Sequence, residues 1–255
     1  MSVIKLIISD IDGTILDQKH QLDSHLLELM PLLKQSDIPF VLASARSPLG
    51  IAPISKELGI TDFPIASYNG ALISTGDKIL SQHSINKKEL LLLHDFLTKE
   101  FPTVSINVYS GKNWYVNALD KWVEIEAQIT GESPKVTSLA DFLQEEKNLI
   151  HKLLLIDNAA TIQKLKEALA TIDFPQTDFY LSKDNYLEVT HNQVSKKQAL
   201  LELANYYQLS LTEIMSIGDN YNDIPMIETA GLGVAMGNAP TDVKLCANKV
   251  TDSND

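Results

Sequence analysis

The sequence has little cysteine, and its basic residues are outnumbered by its acidic ones. Cys246 is the only cysteine among 255 residues, which excludes an internal disulfide and fits a reducing compartment, so we expect a cytoplasmic protein. The chain carries 33 acidic and 21 basic residues, giving a formal net charge of −12. This charge disfavours nucleic acids and anionic membranes as partners.

Long apolar runs and paired histidines are missing as well. No stretch approaches the ~20 apolar residues that a membrane helix needs, and residues 1–5 lead directly into a strand, so we expect no signal peptide. The six histidines lack metal-binding spacing, which disfavours a zinc site. What is present is an ordinary globular composition, 44% hydrophobic, with material for one large or two modest cores.

The most informative stretch is residues 9–14, which follow a nearly unbroken apolar run at residues 3–8. Such a run is typical of a buried strand in a parallel sheet. Alternation along an extended chain would put Asp10 and Asp12 on the same side, at the strand end where open α/β sheets bind ligands. Two such charges become favourable neighbours when a divalent cation joins them. The alternative is an Asp-Gly turn with solvated carboxylates.

A second acidic cluster follows another apolar strand, predicted at residues 214–217. Asp219 and Asp223 lie in the loop after this strand. Mg²⁺ prefers oxygen ligands, and adjacent strands would bring Asp10 and Asp219 to one site. A calcium loop is disfavoured because the regular acidic alternation ending in Glu is absent. A polar loop without a metal is the alternative.

Three further positions suit the binding of an anion. Ser44 follows a strand predicted at residues 38–43, and its hydroxyl with nearby N–H groups could hold a phosphoryl oxygen. Arg46 is equally a candidate for a surface salt bridge. Lys196 opens a predicted helix, where its charge adds to the positive end of the helix dipole. Two positive charges placed together are unfavourable, and an anion bound there would offset this repulsion. The alternative is a solvated lysine.

The order of predicted elements indicates a core domain interrupted by an insertion. Residues 1–83 and 193–255 alternate strands and helices, as in the doubly wound (Rossmann-like) parallel sheet of the α/β class. Residues 84–192 mix helices with hairpins, which indicates an inserted α+β domain.

Apolar spacing and capping residues place individual helices in both parts. A helix is predicted over residues 24–34 with Ser24 as its cap, and Trp122, Ile125 and Ile129 mark another by their spacing.

These motifs resemble those of a known superfamily. The stretch at residues 10–14, Ser44, Lys196 and the stretch at residues 218–223 occur in the order of the four motifs of the haloacid dehalogenase superfamily. Further stretches resemble its Cof-type sugar-phosphatase branch; they lie at residues 67–71, 194–196 and 222–239. In that branch a large α/β cap lies between the second and third motifs, where the insertion is predicted.

The resemblance implies a hydrolase of phosphoric monoesters with Mg²⁺ as its cofactor. The expected partner is a small phosphorylated metabolite, with sugar phosphates first. Asp10 would be the nucleophile that forms an aspartyl-phosphate, and Asp12 the general acid/base. Mg²⁺ would be held by the carboxylate of Asp10, the backbone carbonyl of Asp12, and Asp219, with Asp223 supporting. The phosphate would be bound by Ile11, Ser44, Ala45, Lys196 and Asn222, with Arg46 and Asn69 on the substrate side.

Some features depart from the family pattern. Residues 43–46 read Ala-Ser-Ala-Arg where the family more often has Thr-Gly, although serine keeps the hydroxyl. Lys197 replaces a common glycine. Relatives usually continue into one more helix beyond the position of Asp255, which bears on stability more than on mechanism.

Two alternative functions stay open at this point. One is a phosphomutase or other phosphotransferase, which would need a bisphosphate activator, and the other is a non-catalytic protein that binds a phosphorylated metabolite. We expect a monomer or a weak homodimer.

Overall fold

The computed structural model describes residues 3–254, which form two compact units. The split unit comprises the described chain up to Gln82 and from Val194 onward. The inserted unit runs from His83 to Gln193.

Strands and helices are numbered in chain order. The strands are β1 (Leu6–Ser9), β2 (Phe40–Ala43), β3 (Ile65–Ser67), β4 (Leu72–Thr75), β5 (Lys78–Gln82), β6 (Ser105–Ser110), β7 (Asn113–Val116), β8 (Lys135–Val136), β9 (Lys152–Ile156), β10 (Thr177–Lys183), β11 (Tyr186–His191), β12 (Ile214–Gly218), β13 (Leu232–Ala235) and β14 (Lys249–Val250). The α-helices are α1 (Ser24–Gln35), α2 (Pro48–Glu57), α3 (Lys87–Glu100), α4 (Lys121–Thr130), α5 (Leu139–Gln144), α6 (Ala159–Leu169), α7 (Lys196–Tyr207), α8 (Ile224–Thr229) and α9 (Thr241–Cys246). Short 3₁₀ turns lie at Tyr68–Gly70, Leu211–Glu213 and Tyr221–Asp223.

The split unit contains a sheet in the order β14-β13-β12-β1-β2-β3-β4-β5. The strands from β14 to β3 are parallel, and β4 and β5 add an antiparallel edge. Leu6 and Ile8 of β1 pack with residues of α7, while Phe40 and Leu42 of β2 pack with residues of α2. Apolar residues therefore cover both faces of the sheet, which explains the unbroken apolar strands and confirms the predicted doubly wound α/β core.

The inserted unit is built on a second sheet, in the order β10-β11-β9-β6-β7-β8. Its pairings are antiparallel except that of β7 with β8. Leu93, Leu143, Leu153 and Leu165 belong to one apolar cluster, which joins α3, α5 and α6 to the same face of this sheet. The helices and hairpins expected from the pattern are present.

Two helices differ from the prediction in detail. The cap of α1 is Asp23 and not Ser24, since the Asp23 side chain accepts a hydrogen bond from the N–H of His25. In α4, Ile125 and Ile129 are 40% and 59% exposed, whereas Glu126 is buried. The hydroxyl of Tyr186 donates to the Glu126 carboxylate at 2.8 Å, and this bond satisfies a carboxylate on the buried side of the helix. Among the described residues, no helix combines the length and apolarity needed to cross a membrane.

Candidate active site

The first part of the candidate site is the turn that follows β1. Asp10 comes directly after the strand and is 6% exposed. The N–H groups of Ile15 and Leu16 both donate to the carbonyl of Ile11, at 3.0 and 3.1 Å, so the chain reverses tightly. Gly13 has a φ of +80° and lies so close to the Asp219 carboxylate that a Cβ would collide with it. Glycine is therefore required here both by conformation and by space.

The second part is the loop that follows β12. One carboxylate oxygen of Asp223 accepts hydrogen bonds from the N–H groups of Asp219 and Asn220, each at 2.9 Å. Asp223 is fully buried, and a Cβ on Gly218 would collide with its side chain. Asp223 thus holds the backbone of this loop in place, and with it the position of Asp219.

Because β1 and β12 are parallel neighbours, their carboxyl ends bring these side chains together. Carboxylate oxygens of Asp10, Asp219 and Asp223 lie within 4.8 Å of one another. Lys196, at the first position of α7, is 1% exposed, and its Nζ donates to Asp10 and to Asp223 at 2.5 Å each. Lys196 is therefore not a solvated lysine. We call these four side chains the carboxylate cluster.

The electrostatics of the carboxylate cluster reflect three acids beside one base. Burial raises the pKa of Asp10 to about 7, and Asp223 adds to this rise while Lys196 opposes it. Burial also raises the pKa of Asp219, again with a contribution from Asp223. Burial opposes the charge of Lys196, but Asp10 and Asp223 outweigh it and raise the pKa of this lysine.

The cluster therefore concentrates more negative charge than its ammonium group can neutralise. Its donors are carboxylate oxygens, which are the ligands of hard divalent cations. The residues present thus fit such a cation.

Asp12 lies apart from the carboxylate cluster. Its carboxylate is 48% exposed and receives two hydrogen bonds from Arg46, from Nε at 2.8 Å and from Nη2 at 2.5 Å. His20 Nδ1 lies 4.0 Å from the same carboxylate. Asp12 is thus not among the three carboxylates that lie within 4.8 Å of one another. Arg46 forms the salt bridge that was one of its two predicted roles.

The predicted phosphate-binding and substrate-side residues lie at the ends of β1, β2 and β3, at the start of α7, and in the loop after β12. Ser44 is buried, and its hydroxyl accepts a hydrogen bond from the N–H of Arg46 at 3.2 Å. The N–H of Asn69 donates to the carbonyl of Ser44 at 2.8 Å, which ties the end of β3 to the end of β2. The amide of Asn222 donates to the Asn69 side chain at 3.3 Å. The structure thus links Ser44, Asn69 and Asn222 in one chain of contacts.

Two of the predicted phosphate ligands have no polar side chain. Ile11 is fully buried in the apolar cluster beside α2, so that only its backbone is available for binding. Ala45 follows Ser44 directly and likewise offers only backbone groups.

Comparison with known proteins agrees with this geometry. The family described as haloacid dehalogenase-like hydrolase matches residues 7–255. The chain belongs to the haloacid dehalogenase-like hydrolases. A Haemophilus influenzae protein named "Putative phosphatase" is 34% identical over 252 residues, which cover 98% of this chain and 93% of that protein. "Phosphatase YwpJ" of Bacillus subtilis is 29% identical over 281 residues, covering 99% of this chain and 96% of that protein.

The solved structures include a similar protein. A haloacid dehalogenase-like hydrolase from Bacteroides thetaiotaomicron superposes with a TM-score of 0.88 at 29% identity, covering 98% of this chain and 95% of that one. The superfamily predicted from the four motifs is therefore confirmed, and with it the prediction of a hydrolase.

Sequence reasoning missed two polar contacts to the turn that follows β1 in this haloacid dehalogenase-like hydrolase. The amide of Asn238 donates to the carbonyl of Gly13 at 2.8 Å, and the amide of Asn254 donates to the carbonyl of Leu16 at 2.7 Å. These partners are more than two hundred positions apart in the chain, and no local pattern signals such contacts. The hydroxyl of Thr14 donates to the Asp219 carboxylate at 3.1 Å.

Proposed function

We propose that this hydrolase is a Mg²⁺-dependent phosphatase that acts on small phosphorylated metabolites, sugar phosphates first, through an aspartyl-phosphate on Asp10. The observation that carries the proposal is the carboxylate cluster, in which three buried or half-buried acids meet within 4.8 Å beside one buried lysine. Relatives named as phosphatases support the reaction class.

The residues that would hold Mg²⁺ are the carboxylates of Asp10 and Asp219, with the backbone carbonyl of Asp12 as the resemblance implies. Asp223 would support them, because its two oxygens already accept hydrogen bonds from Lys196 and from the loop backbone. When bound, Mg²⁺ neutralises charge on the nucleophile and on the phosphoryl oxygens.

The chain's own residues then supply the nucleophile and the proton transfers. A carboxylate oxygen of Asp10 attacks phosphorus in line, and the bond from phosphorus to the ester oxygen breaks as Asp12 gives its proton to the leaving alcohol. Asp12, now a carboxylate, takes a proton from a water molecule that attacks the aspartyl-phosphate. This second step releases inorganic phosphate and restores Asp10. In this structure the Asp12 carboxylate is paired with Arg46, so Asp12 must leave this pair and take up a proton before the first step. Its 48% exposure gives it access to water.

We assign phosphate binding to groups in the loops after β1, β2 and β12 and at the start of α7. Lys196 brings a positive charge within hydrogen-bonding distance of the nucleophile, and the Ser44 hydroxyl lies at the end of the neighbouring strand. The backbone N–H groups of Ile11 and Ala45 and the amide of Asn222 complete the proposed set. Arg46 and Asn69 are assigned to the substrate side.

We also propose that the inserted unit is a cap that selects the substrate. Its chain returns to the split unit at Val194, two residues before Lys196, so that one connection is covalently next to the proposed phosphate ligand. Binding energy from the non-reacting part of a substrate can orient the phosphoryl group. Substitutions in the turns at residues 111–113 and 183–185 should therefore change relative kcat/KM among phosphate esters and leave the Mg²⁺ requirement unchanged.

The test of the proposed function is a panel of phosphorylated metabolites assayed for phosphate release with Mg²⁺ and with excess chelator. We expect release that requires Mg²⁺ and that chelator abolishes. Full activity in chelator would contradict the proposal. Transfer of phosphate between hydroxyls without release would favour the phosphomutase alternative, and binding without either reaction would favour the non-catalytic one.

A further inference from the structure

The turn that follows the proposed nucleophile accepts hydrogen bonds from two asparagines, one after β13 and one after β14. Asn238 donates to the carbonyl of Gly13 at 2.8 Å, and Asn254 donates to the carbonyl of Leu16 at 2.7 Å. The two asparagines also contact each other, because the N–H of Asn254 donates to the Asn238 side chain at 3.4 Å. Together they contact both halves of the turn.

The segments that carry these asparagines support each other. The N–H of Gly237 donates to the carbonyl of Asp252 at 2.9 Å, and the N–H of Thr251 donates to the carbonyl of Ala235 at 3.0 Å. A Cβ on Gly237 would lie only 2.7 Å from the backbone of residues 252 and 253. Such close backbone packing restricts the movement of the two segments, and therefore of the Asn238 and Asn254 side chains that they carry.

The turn needs support from outside itself. Gly13 adopts a φ of +80°, which most residues avoid, and glycine has more conformational freedom to lose than other residues. The hydrogen bond from Asn238 fixes the peptide unit that begins at the Gly13 carbonyl. The neighbouring peptide unit carries the backbone carbonyl of Asp12, which is a proposed Mg²⁺ ligand. The next residue, Thr14, donates to the Asp219 carboxylate at 3.1 Å.

We propose that Asn238 and Asn254 are positioning residues that set the geometry of the metal-binding turn. Neither is assigned to substrate or to a reacting atom. Their bonds hold the backbone from the Gly13 carbonyl to the Leu16 carbonyl, and this restrains the adjoining peptide unit so that the Asp12 carbonyl and the Asp219 carboxylate converge. This inference rests on the proposed function, because it assigns the turn to the metal site.

The test compares Asn238→Ala and Asn254→Ala with Asn248→Ala as a matched control. The Asn248 side chain accepts a hydrogen bond from the N–H of Gly233 at 2.7 Å, so the control also loses one bond between an asparagine side chain and backbone in the split unit. Three quantities are measured: the Tm without divalent cations, the rise in Tm on adding Mg²⁺, and the Mg²⁺ concentration that half-saturates phosphate release.

For Asn238→Ala we expect the half-saturating Mg²⁺ concentration to increase about 10-fold, as is typical when a residue that orients a metal ligand is lost. The rise in Tm with Mg²⁺ should shrink in parallel. Asn254→Ala should change both in the same direction by a smaller factor. Asn248→Ala should lower the Tm without metal and keep the wild-type response to Mg²⁺.

An unchanged response to Mg²⁺ in both test variants would overturn the inference, and so would an equal change in the Asn248→Ala control. If Asn238→Ala does not fold, Asn254→Ala decides the question against the same control. Failure of the proposed function would look different, since the wild-type protein itself would then show no response to Mg²⁺.

Discussion

Both units bury a lysine beside carboxylates, but the two sites differ in their balance of charge. In the split unit, Lys196 donates to Asp10 and Asp223, and Asp219 lies close by, which makes three carboxylates for one ammonium group. In the inserted unit, Lys152 lies 3.5 Å from the Glu188 carboxylate, which makes one carboxylate for one ammonium group. We call this second arrangement the balanced pair.

The balanced pair makes further contacts within the inserted unit. Lys152 also lies 4.9 Å from the centre of the Tyr109 ring, and the Tyr180 hydroxyl donates to Glu188 at 3.0 Å. Its charges compensate each other inside the unit, as buried charges in a stable fold must. The carboxylate cluster lacks this compensation. The comparison teaches that unbalanced buried charge, and not a buried lysine as such, indicates a ligand site.

The largest expected effect comes from Asp10→Asn, which removes the proposed nucleophile and one of the three acids. Turnover should fall by about 10³-fold or more, while the Tm without metal should equal or exceed that of wild type because negative charge leaves a buried cluster. Phosphate release and thermal unfolding measure the two effects. Wild-type turnover in this variant would exclude Asp10 as the nucleophile.

Asp219→Ala should weaken the response to Mg²⁺. We expect the half-saturating Mg²⁺ concentration to increase at least about 10-fold, since a proposed ligand is lost. A titration of phosphate release with Mg²⁺ measures this effect. Asp95→Ala, which changes an exposed aspartate of α3 paired with Lys99, is the control and should behave as wild type. Equal Mg²⁺ curves for both variants would remove Asp219 from the metal site.

Glu188→Gln tests the balanced pair and should lower stability without changing the response to Mg²⁺. Loss of this carboxylate removes the counter-charge that lies 3.5 Å from the buried Lys152, which should lower the free energy of unfolding by roughly 3–5 kcal/mol. Denaturant unfolding measures the change, and the Mg²⁺ requirement of the folded protein should stay as in wild type. Glu145→Gln is the control, because its partner Lys147 is 81% exposed, and should leave stability unchanged. A loss of Mg²⁺ dependence in Glu188→Gln would contradict the comparison.

The smallest expected effect concerns His151 in the inserted unit, which is buried and accepts a hydrogen bond from the N–H of Gly111 at 3.0 Å. Burial lowers the pKa of His151 from 6.5 to about 4. As the pH falls, His151 in the unfolded chain therefore takes up a proton at a higher pH than His151 in the folded protein. The stability that a neutral His151 supports is complete above pH 6.5 and is lost between pH 6.5 and 4, by up to roughly 3 kcal/mol.

Unfolding at pH 7 and pH 4.5 tests this effect with His151→Gln, which cannot titrate. We expect wild type to lose more stability than His151→Gln over that interval. His25→Gln, which changes a histidine with an 85% exposed side chain, should lose as much as wild type. Equal losses in wild type and His151→Gln would contradict the prediction.

The sequence predicted the carboxylate cluster well because its parts follow apolar strands directly. The run before Asp10 and the run before Asp219 identify two buried strands, and parallel strands bring their carboxyl ends to one edge of the sheet. The pairing of Asp12 with Arg46 was not predictable in this way, because spacing along the chain does not say which partner a side chain takes. The tight turn at Gly13 likewise depends on Asp219, more than two hundred residues away.

Other misses have equally physical causes. The short helices α8 and α9 contain only six residues each, too few for a clear helical period. Glu126 lies on the buried side of α4 because Tyr186, sixty residues away, satisfies its carboxylate. Contacts of this kind depend on the fold and are not encoded by local spacing.

The most direct test of the account is to look for the phosphoryl group on Asp10. Wild-type protein is mixed with Mg²⁺ and a phosphate ester that it hydrolyses, and the reaction is quenched in acid during turnover. The protein is then digested and analysed by mass spectrometry. We predict one phosphoryl group on the peptide that contains Asp10, and none in Asp10→Asn or in excess chelator. Steady phosphate release with the phosphoryl group on another residue, or with no covalent phosphate trapped under any quench time, would contradict the account.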